Sequence, residues 1–199
     1  AKKGDFDWRQ IFKGAKWFHF SGITPALGPN VAEICVEACE IARDMGLQTS
    51  IDLNYRGKLW TKEQARQTMS EIVKYVDVVI GNEEDCATCL GIVPEGVDEN
   101  YKDLKTAAYK VVADRVFQTW PNVKMIATTL REVLQANINM WRAIVADRAT
   151  GKLHESKKYE VHVIDRLGGG DSFSGALVSG ILEKMDLQEA LELAVAWSN

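Results

Sequence analysis

Apolar positions along the chain recur with two periods, and their succession predicts strands alternating with helices. Trp17 to Phe20 is a short aromatic-rich run that stops at Ser21 and Gly22, which reads as a strand. Val31, Ile34, Cys35, Ala38, Ile41, Ala42 and Met45 then fall at helical spacing, and Gly46 stands where a left-handed C-terminal cap belongs. Thr49 to Leu53 predicts the next strand. Thr61 with Gln64 three residues later is a capping-box pattern that opens a helix to about Lys74. Val76 to Ile80 reads as a buried strand and Asn82 to Leu90 as a short helix ended by Gly91. A polar connection from Pro94 to Asn100 then precedes a longer helix, Tyr101 to Gln118. Lys124 to Thr129 predicts a further strand. Trp141 to Asp147 and Lys152 to Tyr159 predict a hairpin turned at Ala149, Thr150 and Gly151. Val161 to Ile164 leads through a glycine loop into a final helical pair, Ser172 to Lys184 and Leu187 to Trp197.

Strands joined by crossover helices imply an α/β fold of three layers (α/β/α), with a mostly parallel sheet covered by helices on both faces. A parallel connection needs a dozen or more residues and usually takes a helix. Ligands of such sheets gather at the carboxyl ends of the strands. No repeat, low-complexity tract or Gly/Ser linker interrupts the 199 residues, so a single domain over 1–199 is expected.

Composition narrows the partners. With 46% hydrophobic and 26% charged residues, disordered, collagen-like and disulfide-scaffold classes are excluded. A net charge of -4 without a basic stripe argues against nucleic acid or an anionic membrane as partner. The most apolar stretch, Tyr75 to Ile80, carries Asp77 and falls far short of the ~20 residues that span a bilayer. Ala1 to Asp7 has no apolar core of a secretory signal, so the cytoplasm is the expected compartment; a start without Met suggests part of a longer polypeptide.

Four cysteines form two pairs, Cys35 with Cys39 and the CxxC of Cys86 with Cys89. Zinc or redox chemistry is one use of such spacing, but both pairs fall at helical spacing on apolar faces, which favours small buried hydrophobes. His19, His154 and His162 show no ligand spacing, and Ser21 has no nucleophile-elbow context.

The richest stretch is Asp165-Arg166-Leu167-Gly168-Gly169-Gly170-Asp171-Ser172-Phe173. Three glycines between a strand and a helix leave N–H groups free to converge on an anion at the helix's positive end. The stretch lacks the Lys of a P-loop, and its consecutive glycines differ from a dinucleotide fingerprint. Asp171, at the helix mouth, suits a base that takes a proton from an attacking hydroxyl; a plain N-cap role is the alternative. Gly175 and Gly180 each cost up to about 1 kcal/mol in a helix interior. Together with Ser172, Ala176 and Ser179 they suggest a small-residue face closing on the sheet.

This loop resembles the DxxGAGDxF signature of the ribokinase-like (PfkB) carbohydrate kinases, with Gly169 where that pattern usually has Ala. Its DRLGGGDSF form resembles the 2-keto-3-deoxygluconate kinases within that family. The resemblance implies that Gly168, Gly169 and Gly170 form an anion hole and that Asp171 is the catalytic base. Asp52-Leu53-Asn54-Tyr55-Arg56 with Leu59-Trp60 resembles the family's DxNxR…LW motif. Strand alternation would project Asp52, Asn54 and Arg56 to one side, and the planar fork of Arg56 suits a substrate carboxylate; a loop-holding Asp52–Arg56 pair is the plainer alternative. Asn82-Glu83-Glu84-Asp85 is similar to the NxxE motif that organises magnesium, with Asp85 in place of Glu and Glu84 as substitute; an acidic first helical turn is the other explanation. Ala127 to Glu132 resembles the nucleotide-contacting segment, which implies roles for Thr129 and Arg131, and Asn199 falls where the adenine pocket is lined. Ser21 to Leu27 also resembles this group.

By resemblance the chain is the nucleotide-binding, catalytic-base portion of a kinase using ATP and magnesium to phosphorylate a small sugar acid. The family's preceding glycine-rich substrate loop and lid, and the tail completing its nucleotide pocket, are expected outside these residues. A fructokinase-, ribokinase- or deoxy-sugar-kinase activity, or a noncatalytic nucleotide-binding role, is the alternative. Consecutive glycines disfavour a dehydrogenase. A monovalent cation and a homo-oligomer are left open.

Overall fold

The computed structural model describes residues 1–82, 84–93, 106–164 and 167–198. Glu83, Asp165, Arg166, Asn199, the expected connection from Pro94 to Asn100 and the start of the helix expected from Tyr101 lie outside the described residues. The chain divides into two compact units, Ala1–Met125 and Ile126–Asn199.

The first unit runs α1 (Trp8–Ile11), β1 (Trp17–Ser21), α2 (Ile23–Ala26), α3 (Pro29–Asp44), β2 (Gln48–Asp52), α4 (Lys62–Val73), β3 (Val78–Asn82), α5 (Asp85–Leu90) and α6 (Thr106–Thr119). β1, β2 and β3 are parallel, with Ser21 opposite Asp52 and Asp52 opposite Ile80. Ser21, Asp52 and Asn82 are therefore the last residues of three neighbouring strands, at the edge where ligands of parallel sheets bind.

Local chemistry explains most boundaries. α3 begins at Pro29, two residues before the expected Val31, because proline is pre-organised for a first helical position. Gly46 and Gly91 adopt the left-handed conformation just beyond α3 and α5, as expected of C-terminal caps. Thr61 caps α4 through the reciprocal box with Gln64. β3 starts at Val78 because Asp77 is spent in a link to Thr49. The Thr49 N–H donates to Oδ2 of Asp77 (3.0 Å), the Asp77 N–H donates to Oγ1 of Thr49 (3.1 Å), and Lys124 Nζ lies 2.8 Å from Oδ1. α1 is too short for periodicity to find. Phe12 is buried with Ala38, Ala42 and Leu47, and Trp8 and Phe18 pack against that cluster. Ile51, Leu53, Met69, Ile72, Val73 and Val76 form the fully buried centre.

The second unit contains β4 (Met125–Gln135), β5 (Ile138–Asp147), β6 (Leu153–Glu155), β7 (Tyr159–His162), α7 (Gly169–Leu182) and α8 (Leu187–Trp197). β5 pairs antiparallel with β6 and with β7, so the α/β fold combines parallel strands in the first unit with antiparallel ones in the second. Two expected strands change. The strand expected to end at Thr129 continues to Gln135 and returns through a turn at Ala136 and Asn137. The strand expected over Lys152 to Tyr159 is broken at Ser156, whose Oγ accepts the Ala143 N–H (2.9 Å) and donates to the Lys157 carbonyl (2.9 Å). Of the small residues of α7, Gly180 serves packing against α8. A Cβ on Gly180 would lie 2.7 Å from that of Ala190, whereas one on Gly175 would meet nothing within 4 Å, and Ser179 is exposed.

Candidate active site

At the ends of β1 and β2 the backbone closes tightly. The Gly22 N–H donates to the Asp52 carbonyl at 2.7 Å, and a Cβ on Gly22 would sit 2.1 Å from the Leu53 carbonyl oxygen. Only glycine fits there, which gives Ser21-Gly22-Ile23 a packing reason. The Leu53 N–H donates to the Ile80 carbonyl (2.8 Å), and the chain then turns at Asn54, whose φ is 38°. That left-handed residue ends the expected alternation, so Asp52, Asn54 and Arg56 are not three steps of one extended strand. Asn54 Nδ2 donates to Ser21 Oγ (3.0 Å), which fastens the turn to β1. Arg56 is exposed, and its Nη1 donates to the Tyr55 carbonyl at 3.0 Å. Tyr55 Oη donates to the carbonyl of the buried Trp60 (3.2 Å), which gives Trp60 a structural role, while Leu59 is exposed.

The turn after β3 is closed by reciprocal bonds. Asn82 Oδ1 accepts the N–H groups of Glu84 (2.8 Å) and Asp85 (3.2 Å), and Oδ2 of Asp85 accepts the Asn82 N–H (2.9 Å). Asp85 is only 4% exposed, and its Oδ1 also accepts the Tyr55 N–H (3.3 Å). Burial pushes its carboxyl above the usual range, opposed by the Asn82 and Tyr55 N–H bonds and by the charge of Arg56. Each Asp85 oxygen thus accepts one backbone N–H, so any magnesium role of this buried carboxylate would use its remaining lone pairs, through water. Among the described residues of this turn Glu84 is an exposed carboxylate, beside the exposed Asn82. Among the described residues no three His, Cys, Asp or Glu side chains gather as a metal-binding group.

In the second unit the glycine loop is more ordered than three flexible glycines suggest. Gly168 takes a left-handed φ of 80° as the N-cap, and Gly169, Gly170 and Asp171 are the first three residues of α7. The first helical bond runs from the Ser172 N–H to the Gly168 carbonyl (2.8 Å). The N–H groups of residues 169–171 precede it, so no helical carbonyl lies four residues behind them, and they form the positive end of the helix. Asp171 is exposed and is not the N-cap. The contact between Trp141 and Ser198 has no signal in the sequence. Trp141 Nε1 donates to Ser198 Oγ (2.7 Å), and a Cβ on Gly169 would lie 3.4 Å from the Ser198 carbonyl, so the end of α8 abuts the loop. Thr129 is half-buried and Arg131 exposed within β4, not at its carboxyl end as expected. Asn199 lies outside the described residues.

The four cysteines are free and buried, as their helical spacing suggests. Burial pushes the Cys35 thiol up to about 11 and that of Cys86 up to about 12, and raises Cys39 and Cys89 as well. His19 Nδ1 lies 2.7 Å from Ser50 Oγ, a local structural bond.

Residues 143–199 match the model of the pfkB family carbohydrate kinases. Across 100% of its length the chain superposes on 2-dehydro-3-deoxygluconokinase from Thermotoga maritima, with a TM-score of 0.88 and 45% identity, covering 57% of that chain. The chain is similar to the pfkB carbohydrate kinases, with residues 143–199 carrying the match to the family model itself. Two curated relatives are 2-dehydro-3-deoxygalactonokinase of Haloferax volcanii, 30% identical over 94% of this chain and 51% of its own length, and fructokinase-2 of Solanum lycopersicum, 26% identical over 90% and 47%. The chain thus spans about half the length of the curated relatives it matches. The segment matching the pfkB model contains Gly168 to Asp171 and all of α7 and α8 up to residue 198. The α/β fold is ribokinase-like.

Proposed function

We propose that the polypeptide carrying this chain transfers the γ-phosphoryl group of ATP to the terminal hydroxyl of a 2-keto-3-deoxy sugar acid, foremost 2-keto-3-deoxygluconate, giving its 6-phosphate. The observation that carries this reading is the start of α7, where an exposed carboxylate stands in the same helical turn as N–H groups that have no helical acceptor. Asp171 takes the hydroxyl proton as that oxygen bonds to the γ-phosphorus and the bridge to ADP breaks. The N–H groups of residues 169–171, opened by the left-handed Gly168, stabilise the charge on the transferred phosphoryl oxygens.

Arg56 holds the substrate carboxylate through its planar fork, and Asp52 and Asn54 bind hydroxyls. Thr129, Arg131 and Asn199 contact the nucleotide. Magnesium arriving with ATP needs few protein oxygens, and exposed Glu84, with the neighbouring Asn82, would serve it. When bound, the ion neutralises phosphate charge. An acid substrate is supported by two relatives named for kinases of 2-keto-3-deoxy acids. The fructokinase relatives support a neutral sugar as the second reading.

The test is a panel of 2-keto-3-deoxygluconate, 2-keto-3-deoxygalactonate, fructose and ribose with ATP and the intact protein. A kcat/KM at least about 100-fold higher for the acids, worth about 2.7 kcal/mol of transition-state binding, is expected. Equal or better use of fructose refutes the acid assignment.

A further inference from the structure

Asp85 is held more elaborately than closing a turn requires. Its Oδ2 and the Asn82 side chain close the turn that leads into α5, a job that exposed acids in such turns do well. Yet the carboxylate is buried, which costs free energy unless hydrogen bonds compensate. Its seat is also tailored: a Cβ on Gly81 would lie 3.0 Å from Asp85 Cβ and 3.2 Å from Oδ2, and 3.5 Å from Leu53 Cδ1. The remaining oxygen, Oδ1, reaches thirty residues back to the Tyr55 N–H. The Tyr55 carbonyl in turn accepts from Arg56 Nη1. One residue is therefore gripped at both backbone polar groups, by Asp85 on one side and by the Arg56 guanidinium on the other. Immediately before it stands the left-handed Asn54, itself fastened to Ser21.

We propose that Asp85 is a positioning residue that fixes the Tyr55 backbone, and through it the guanidinium of Arg56, for the carboxylate of the sugar acid. The inference rests on the substrate role of Arg56 proposed above. It makes Asp85 a link between the loop after β2 and the turn after β3.

Asp85→Asn retains one acceptor oxygen and faces the other N–H with an amide NH2, so it cannot hold both Tyr55 and Asn82. In the intact protein we expect a KM for 2-keto-3-deoxygluconate raised at least about tenfold, equivalent to about 1.4 kcal/mol, with KM for ATP within twofold. In an Arg56→Ala background the same substitution should change KM for the acid less than twofold; full additivity overturns the positioning role. Amide hydrogen exchange supplies a readout independent of activity. The Tyr55 N–H should be protected in the wild type and lose at least tenfold in Asp85→Asn, while the Val79 N–H stays unchanged. Free exchange of Tyr55 in the wild type overturns the clamp even if the variant does not fold. A wild type that phosphorylates no sugar acid refutes the functional reading instead, and the exchange result still decides the clamp.

Discussion

Gly22→Ala inserts one methyl group at the tightest point of the site. The new Cβ would lie 2.1 Å from the Leu53 carbonyl oxygen, 2.9 Å from its carbon and 2.4 Å from Met69 Cε. Met69 can swing only into a fully buried core, and the Leu53 carbonyl belongs to the backbone that leads into Asn54. Relief therefore means moving the end of β2 by more than 1 Å or breaking the 2.7 Å bond from the Gly22 N–H to the Asp52 carbonyl. Overpacking of this kind costs about 1–3 kcal/mol, and the loss of a buried backbone bond adds about 1 kcal/mol. We expect about 3 kcal/mol of destabilisation, measured by urea denaturation of the intact protein, with a weaker KM for the sugar substrate because Asn54 and Arg56 move with Leu53. The internal control is Gly175→Ala, where the added methyl meets nothing within 4 Å on α7 and should stabilise by up to about 1 kcal/mol. Gly22→Ala within about 0.5 kcal/mol of wild type would refute the close-approach argument.

Three further outcomes follow from the same geometry. Thr61→Ala removes the acceptor of the Gln64 N–H at the start of α4 and should cost about 1 kcal/mol in denaturant unfolding, whereas Thr61→Ser should cost much less. Native protein at pH 8 should leave all four cysteines unmodified by a thiol-specific disulfide reagent, with four reacting after denaturation; rapid native reaction of either pair would revive a redox role. Because burial raises these thiols above their ordinary value of 9.0, the folded state holds the proton the more tightly. Stability is then full below pH 9 and should fall as the pH rises toward 11, a trend that replacing Cys35 and Cys86 by Ala should flatten.

Features visible in the sequence were those whose signal is local. The periodic face and glycine cap of α3, the Thr61–Gln64 box of α4 and the apolar runs of β1 to β3 each carry their own evidence within a few residues. So does the start of α7, where glycines followed by an acid announce both an open helix end and a carboxylate beside it. Features that depend on distant partners stayed hidden. Nothing near Asp85 indicates that its carboxylate serves Tyr55, and nothing near Gly22 reveals the Leu53 carbonyl facing it. Arg131 to Gln135 escaped because every residue there is exposed, so no face of the strand is apolar, and Ala136-Asn137 is a weak turn signal. The break at Ser156 is made by a side chain bridging to Ala143, which no window of sequence contains.

In the proposed reaction Asp171, at the opening turn of α7, takes the proton of the acceptor hydroxyl. Single-turnover phosphorylation of 2-keto-3-deoxygluconate by the intact Asp171→Asn protein tests it most directly. A positioned base contributes about 10²- to 10⁴-fold, so turnover should fall at least about 100-fold while ATP affinity stays within about twofold. Turnover within about threefold of wild type would contradict the claim.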